Sequence, residues 1–131
     1  MIPTKEKNIQ VFDQEDYDFI ADLRVIGIDR KQAAILAFFR IEETGLSRDI
    51  EIATSMRQPE VSLAMTGLRK KGFINTEQLG RKRGQYTNEY SLAIPLEDII
   101  ASYWDAALKE WGDKMEVYKR LQKYEICPFS G

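Results

Sequence analysis

The sequence contains no histidine and a single cysteine, Cys127, in 131 residues. Histidine and cysteine supply most of the acid-base groups that titrate near neutral pH and most transition-metal ligands in proteins. One cysteine also rules out a disulfide within the chain. The sequence has no glycine-rich phosphate loop, no paired metal ligands and no nucleophile with a basic partner. We therefore expect no catalytic residues, no metal and no cofactor, and the sequence does not predict an enzyme.

Long apolar segments are missing as well. The longest wholly apolar run covers residues 33–39, far short of the roughly 20 residues that a transmembrane helix needs. The polar stretch over residues 1–10 lacks the apolar region of a signal peptide. The sequence therefore predicts a cytoplasmic protein without a membrane partner. Its 44% apolar and 31% charged residues are ordinary for a globular chain.

An overall positive charge, the usual sign of a nucleic-acid partner, is also missing, because the net charge is −2. The charges are unevenly spread, however. Residues 57–90 contain seven basic and three acidic side chains, a local charge of +4, which leaves −6 for the remainder. Such a separation concentrates a positive field on one surface. The basic clusters at residues 69–71 and 81–83 also have simpler explanations, namely helix-end stabilisation, a solvated hairpin tip or chance.

Residues 47–94 have the order of elements of a winged helix-turn-helix, which is a short helix, a tight turn, a second helix and a hairpin. Ser47 is a suitable N-cap for the first helix. Arg57 and Gln58 form the turn. Pro59 suits the first position of the second helix, because an N–H there would have no helical partner. The pattern therefore predicts a recognition helix over residues 59–71.

The recognition helix has one apolar side and one side that is small or polar. The 3.6-residue period of an α-helix places on its inner side Val61, Ala64, Met65 and Leu68. The same period places on its outer side Pro59, Ser62, Leu63, Thr66 and Lys70. Because these outer residues are modest in size, the helix can enter a DNA major groove, which is about 12 Å wide.

The predicted hairpin has a basic tip, in which Gly80 and Gly84 flank the three residues Arg81, Lys82 and Arg83. Its second strand alternates apolar and polar residues, with an inner side that contains Tyr86, Tyr90, Leu92 and Ile94. A basic tip of this kind can follow DNA phosphates or enter a minor groove. We therefore interpret the hairpin as the wing.

Two helices are predicted before residue 47. Apolar residues at helical spacing predict the first over residues 14–26. Asp29 can cap the second, whose apolar run should form the centre of the core. Residues 1–13 show no clear period and are treated as an N-terminal extension.

Residues 95–124 predict a long C-terminal helix that opens with a proline and two acidic residues. Its apolar residues form a heptad-like seam, which would pair with the same seam of a second copy. The expected dimer contacts are Ile100, Trp104, Leu108, Trp111, Met115 and Tyr118. The alternative is a monomer whose last helix folds back across the first two. Residues 125–131 form a tail without a pattern.

The winged-helix domains of MarR-type and TrmB-type transcriptional regulators resemble residues 23–94 of this chain, in the strings LRVIGIDRKQAAILAFFR, SRDIEIATSM, RQPEVSLAMTGLRKKGFI and EYSLAI. The resemblance implies binding to duplex DNA, with residues 58–70 in the major groove and residues 81–83 at the wing. MarR-type proteins often bind small molecules between the DNA-binding domain and the dimer helices. The resemblance therefore also permits a small-molecule effector.

Together these features predict a mainly α fold with a small β-hairpin, an α+β winged helix-turn-helix over residues 14–94 followed by a long C-terminal dimerisation helix. The leading hypothesis is a dimeric, sequence-specific, double-stranded DNA-binding transcriptional regulator. The expected DNA contacts are Ser47, Arg57, Gln58, Pro59, Ser62, Leu63, Thr66, Arg69, Lys70, Arg81, Lys82 and Arg83. The alternative is a winged-helix protein-interaction module without DNA binding, which the acidic charge balance and Leu63 favour.

Overall fold

The computed structural model describes residues 8–82 and 85–129, and only the backbone at residues 81, 82, 85 and 86. Within these residues five helices and three strands follow in the order α1 (Gln14–Val25), α2 (Arg30–Ile41), β1 (Thr44–Leu46), α3 (Ser47–Thr54), α4 (Gln58–Lys70), β2 (Ile74–Lys82), β3 (Gln85–Leu92) and α5 (Leu96–Leu121). This is the predicted α+β winged helix-turn-helix with a long C-terminal helix.

The core is built around α2, as the sequence predicted. The carboxylate of Asp29 caps this helix by accepting hydrogen bonds from the backbone N–H groups of Lys31 and Gln32. All seven residues from 33 to 39 are buried. Burial stabilises each of the larger apolar side chains by about 1.5–3 kcal/mol before the entropy of ordering is counted. Helices α1, α3, α4 and α5 all contact α2.

The segment before α1 packs on the core through Ile9, which is half-buried, and Phe12. Phe12, which the sequence analysis left in the N-terminal extension, is buried, and its backbone N–H donates to the carbonyl of Ala53 at 3.0 Å.

A buried carboxylate joins α1 to α2, because Asp16 accepts a hydrogen bond from the guanidinium of Arg40 at 3.0 Å. Arg40 also lies over the ring of Phe19, 5.2 Å from its centroid.

The sheet contains a strand that the sequence analysis missed. Its order is β1-β3-β2, and both neighbours of β3 run antiparallel to it. Strand β1 has only three residues, too few for an alternating pattern to predict it. Its Gly45 lies so close to the ring of Phe38 that a Cβ would collide with it. Tyr90 and Leu92 pack against the core as predicted, whereas Ile94 lies beyond β3 and is 37% exposed.

Two details of the helix-turn-helix differ from the prediction. Ser47 is the first residue of α3 and not its N-cap, because the side chain of Asp49 accepts from the backbone N–H of Leu46 at 3.0 Å. Helix α4 begins at Gln58, so Pro59 is its second residue and the turn lies before Gln58. The inner side of α4 is buried as predicted, and Gly72, in the left-handed region with φ +77°, follows the helix end as expected.

Helix α5 begins after Pro95 and ends at Leu121, three residues before the predicted end. The structure describes every residue of α5, and Ile99 is the only one of them that is buried. Leu96, Ile100 and Tyr103 are half-buried against the core, and they all lie in the first two turns. Across the ranges that the structure describes, no helix combines the length and the apolar composition needed to cross a membrane.

Candidate nucleic-acid interface

An open groove of about 560 Å³ lies between the start of α3, the outer side of α4 and strand β3. It brings together five residues that the sequence assigned to DNA binding. The residues that line it are Leu46, Ser47, Arg48, Gln58, Val61, Ser62, Met65, Thr66, Arg69, Thr87, Asn88 and Tyr90. None of these described lining residues is acidic, and two carry a guanidinium, so the groove is positively charged.

Four of the lining residues form one stripe along α4. Gln58, Ser62, Thr66 and Arg69 follow each other at steps of four, four and three residues, which places them on one side of a helix. The opposite side of α4 packs on the core, so the backbone behind the stripe is held in place. A polar stripe on a rigid helix beside an open groove can donate and accept hydrogen bonds along the edge of a ligand such as duplex DNA.

The hydroxyl of Thr66 has a defined hydrogen-bond direction. It donates to the backbone carbonyl of Ser62 at 2.9 Å, as threonine hydroxyls in helices often do. Its proton is therefore used within α4, while the lone pairs of its oxygen remain able to accept. Thr66 is thus suited to a donor on a ligand, such as a base amino group.

Other predicted contacts lie outside the groove. Arg57, Pro59, Leu63 and Lys70 are exposed on α4 or just before it, and Leu63 is 72% exposed. Arg81 and Lys82 are in the last residues of β2, where the backbone alone is described. Arg83 lies outside the described residues. The structure therefore gathers only part of the predicted α4 set in the groove, and the wing assignment stays a prediction.

Four groove residues were missed by the sequence analysis, Leu46 and three with polar or charged side chains. Arg48 follows Ser47 in the first turn of α3, and Thr87 and Asn88 are in β3. The signal for Arg48 was available, since it is a basic residue next to a predicted contact. Thr87 and Asn88 had no such signal, because only the pairing of β3 with β1 and β2 brings that strand beside α4.

Glu60 carries a negative charge at the start of α4, but the charge is neutralised locally. One of its carboxylate oxygens accepts from the backbone N–H of Arg57 at 3.2 Å, and the other pairs with Lys31 at 3.4 Å. The hydrogen bond from Arg57, and next the one from Lys31, lower the pKa of Glu60. Glu60 therefore caps α4 and links it to α2, and it is not among the groove residues.

The predicted dimer seam lies on the surface of α5. Trp104 is 51% exposed and Trp111 63% exposed. Leu108, Met115 and Tyr118 are also exposed, whereas Ile100 is half-buried at the helix base. At 100° per residue, the seam is centred about a quarter turn away from the side of α5 that packs on the core. One helix can therefore contact the core with its first turns and leave a separate apolar surface uncovered.

The described residues contain no candidate metal site. No group of three or more histidine, cysteine, aspartate or glutamate side chains within them could hold a metal ion. The one cysteine, Cys127, is exposed.

Three solved structures show how this fold recurs. A possible transcriptional regulator from Methanosarcina mazei has a TM-score of 0.58 and 14% identity, over 82% of this chain and 89% of that one. A MarR-family transcription regulator has a TM-score of 0.50 and 17% identity, over 82% and 76%. NadR in complex with 4-hydroxyphenylacetate has a TM-score of 0.50 and 20% identity, over 95% and 100%.

At these identities the likeness shows the fold. No protein-family model matches the sequence, and no curated protein matches it. The winged-helix fold of MarR-family regulators, expected from the sequence, is therefore confirmed. The resemblance to TrmB-type domains stays a prediction.

Proposed function

We propose that this protein is a transcriptional regulator that binds double-stranded DNA as a homodimer. The observation that supports the proposal best is the polar stripe of Gln58, Ser62, Thr66 and Arg69 along α4, which lines a positively charged groove. The solved structures with this fold include proteins described as transcriptional regulators. A helix with a buried apolar side and an exposed polar side is the element that winged-helix proteins insert into a major groove.

The proposed contacts divide by their chemistry. Gln58 and Ser62 have side chains that can read base edges, and a glutamine can bind adenine with two hydrogen bonds. Thr66 accepts a hydrogen bond from a base amino group. Arg48 and Arg69, which lie in different helices along the groove, neutralise phosphates and set the register of the protein on the duplex. Arg81, Lys82 and Arg83 add affinity at the wing that does not depend on sequence.

The proposed dimer uses the exposed seam of α5. Tryptophan, tyrosine and methionine are enriched in protein interfaces, and the seam contains all three types. Pairing of two seams would cover it and place one α4 on each side of a two-fold axis. The two recognition helices would then reach half-sites about one DNA turn, or ~34 Å, apart.

The first experiment is binding of the purified protein to random duplex DNA over a salt series, with selection of the bound sequences. We expect affinity to fall steeply with salt and the selected sites to be palindromic. Replacing Arg81, Lys82 and Arg83 together with alanine should weaken binding to every sequence and reduce the slope of log K against log salt by up to about 2.7, since each phosphate contact contributes ~0.9.

Two outcomes would contradict the proposal. An unchanged salt slope in the triple variant would remove the wing from the interface. No binding even at low salt would reject the DNA-binding function and leave the alternative, a winged-helix module that binds protein. The matched control is Lys109→Ala, because this exposed lysine lies on α5, away from the groove.

A small-molecule effector is a second proposal, which a cleft of about 320 Å³ supports. Phe12 and Tyr17 contribute aromatic rings to the cleft, and Arg24 and Arg30 contribute positive charge. Met56, in the turn before α4, also lines it, so a ligand there would contact the helix-turn-helix. NadR was solved with the aromatic acid 4-hydroxyphenylacetate. Titration calorimetry with 4-hydroxyphenylacetate should detect a heat of binding to the native protein. The Arg24→Ala variant should show no such heat, because the cleft loses one of its positive charges.

A further inference from the structure

Lys71 ends the basic run of α4 but points away from the groove. Its ammonium group donates to Oε1 of Gln32 at 2.9 Å and to the hydroxyl of Tyr103 at 2.6 Å. It also lies 5.3 Å from the centroid of the Tyr103 ring. One side chain at the end of α4 therefore joins the first turn of α2 to the second turn of α5.

The contact lies at the surface, but both partners of Lys71 have close neighbours. A Cβ built at Gly67 would collide with Nε2 of Gln32, so the glycine in α4 lets the glutamine side chain approach. The ring of Phe73 packs against Tyr103 at 6.3 Å between centroids. The position of Tyr103 is therefore set from two sides, by a cation and by an aromatic ring.

Tyr103 is nearly the last place where α5 touches the rest of the chain. Beyond it, Ala107 alone is half-buried, and the other described residues of α5 are exposed. The 18 residues from Trp104 to Leu121 span about 27 Å at 1.5 Å per residue. A rotation of about 10° at the base would therefore move the far end of α5 by roughly 5 Å, more than the 3.4 Å rise of one base pair.

We propose that Lys71, Gln32 and Tyr103 form a positioning cluster that fixes the angle between α5 and the recognition helix. In a dimer paired through α5, this angle sets the distance between the two recognition helices and hence the preferred half-site spacing. Lys71 is then a positioning residue for DNA selection and not a phosphate contact. The inference rests on the proposed function as a dimeric DNA-binding protein.

The angle can be measured without DNA. Spin labels at Leu63→Cys and Lys119→Cys, in a Cys127→Ser background and diluted with unlabelled protein, report the distance between α4 and α5 within one chain. We expect a single narrow distribution for the otherwise native chain. Lys71→Met removes the charge and Tyr103→Phe removes only the hydroxyl, and each should broaden or shift the distribution. Lys70→Met, the neighbouring exposed lysine, is the matched control and should leave it unchanged.

DNA selectivity then tests the consequence. Sites are compared in which the two half-sites are moved apart by single base pairs. Lys71→Met should reduce the preference for the best spacing over its neighbours by roughly fivefold, the effect of a typical coupling between contacting residues, and should leave the salt slope unchanged. Lys70→Met should instead reduce the slope by ~0.9 if it contacts a phosphate, with the spacing preference retained. A mere loss of stability would lower affinity equally at all spacings.

The outcomes separate the two proposals. A narrow, unshifted distance distribution in both Lys71→Met and Tyr103→Phe would overturn the positioning cluster, whether or not the protein binds DNA. A Lys71→Met variant with a reduced salt slope and an unchanged spacing preference would also overturn it, because Lys71 would then be a phosphate contact. Absence of DNA binding by the native chain would reject the proposed function, while the distance measurement would still decide whether the cluster holds α5.

Discussion

Helices α2 and α5 are both rich in apolar residues, but they differ in how much of their apolar surface is buried. Seven consecutive residues of α2 are buried, whereas α5, which is more than twice as long, has one buried residue. The apolar surface of α2 is covered by the other helices of the same chain. Most of the apolar surface of α5 is not. Hydrophobic content therefore identifies which helices need a partner surface, and only packing shows whether that surface is in the same chain.

The same contrast occurs within α4 between two leucines. Leu68 is completely buried, and Leu63, five residues earlier, is 72% exposed. Helical geometry alone separates them, because five residues turn the helix by about 140° beyond one full revolution. One leucine therefore stabilises the fold, while the other is available to a partner such as a thymine methyl group.

Leu68→Ala should have the largest effect on folding. Removing a fully buried leucine side chain leaves a cavity and costs about 2–5 kcal/mol in the free energy of unfolding. Leu63→Ala is the matched control on the same helix and should change it by less than ~0.5 kcal/mol. Urea unfolding followed by circular dichroism measures both. Equal effects of the two substitutions would contradict the assignment of the inner and outer sides of α4.

The aromatic surface of α5 should matter for association more than for folding. Trp104→Ala and Trp111→Ala should each raise the dimer dissociation constant by about 30-fold or more, as expected for interface hot spots worth ~2 kcal/mol. Asp113→Ala, on the opposite side of α5 by helical geometry, should have little effect. Sedimentation equilibrium measures the dissociation constants. A native chain that stays monomeric at high concentration would contradict the assignment of this surface to self-association.

Glu60 should give the smallest effect, which depends on pH. Its pKa in the folded protein is lower than the ordinary value of 4.5, chiefly because its carboxylate accepts a hydrogen bond from the backbone of Arg57. The stabilisation is therefore present above about pH 4.5 and is lost as the pH falls through the lowered pKa. Unfolding curves from pH 6 to pH 3 should show a weaker pH dependence for Glu60→Gln. Glu125→Gln, beyond the end of α5, should follow the native curve.

Much of the fold could be predicted because its signals are local. Asp29, the apolar run after it, and Gly72 each act through residues close in sequence, so the positions of α2 and the end of α4 were predictable. The Ser47 cap was wrong because a second capping residue, Asp49, lies nearby and satisfies the backbone of Leu46. Strand β1 was missed because three residues without a pattern form a strand only when β3 is available to pair with them.

The residues that α4 contributes to the candidate site could be predicted in part from the sequence. The way in which α3 and β3 come together with α4 could not. The 3.6-residue period placed Ser62 and Thr66 on the outer side of α4, and Gln58, which the sequence analysis placed in the turn, joins them because the helix begins one residue earlier than predicted. Arg48, Thr87 and Asn88 join them in the groove from α3 and β3, and no spacing in the sequence encodes that approach.

The sequence by itself determined where the helices lie to within a few residues, which side of α4 is apolar and where positive charge accumulates, because hydrophobic period, capping and charge act over a few residues. Only the tertiary structure decided that Lys71 leaves the basic run to hold Tyr103, that Glu60 is neutralised by Lys31, and that the tryptophans of α5 stay uncovered. These outcomes depend on which distant segments meet, and that is set by packing of the whole core around α2, where long-range contacts compete for the same surfaces.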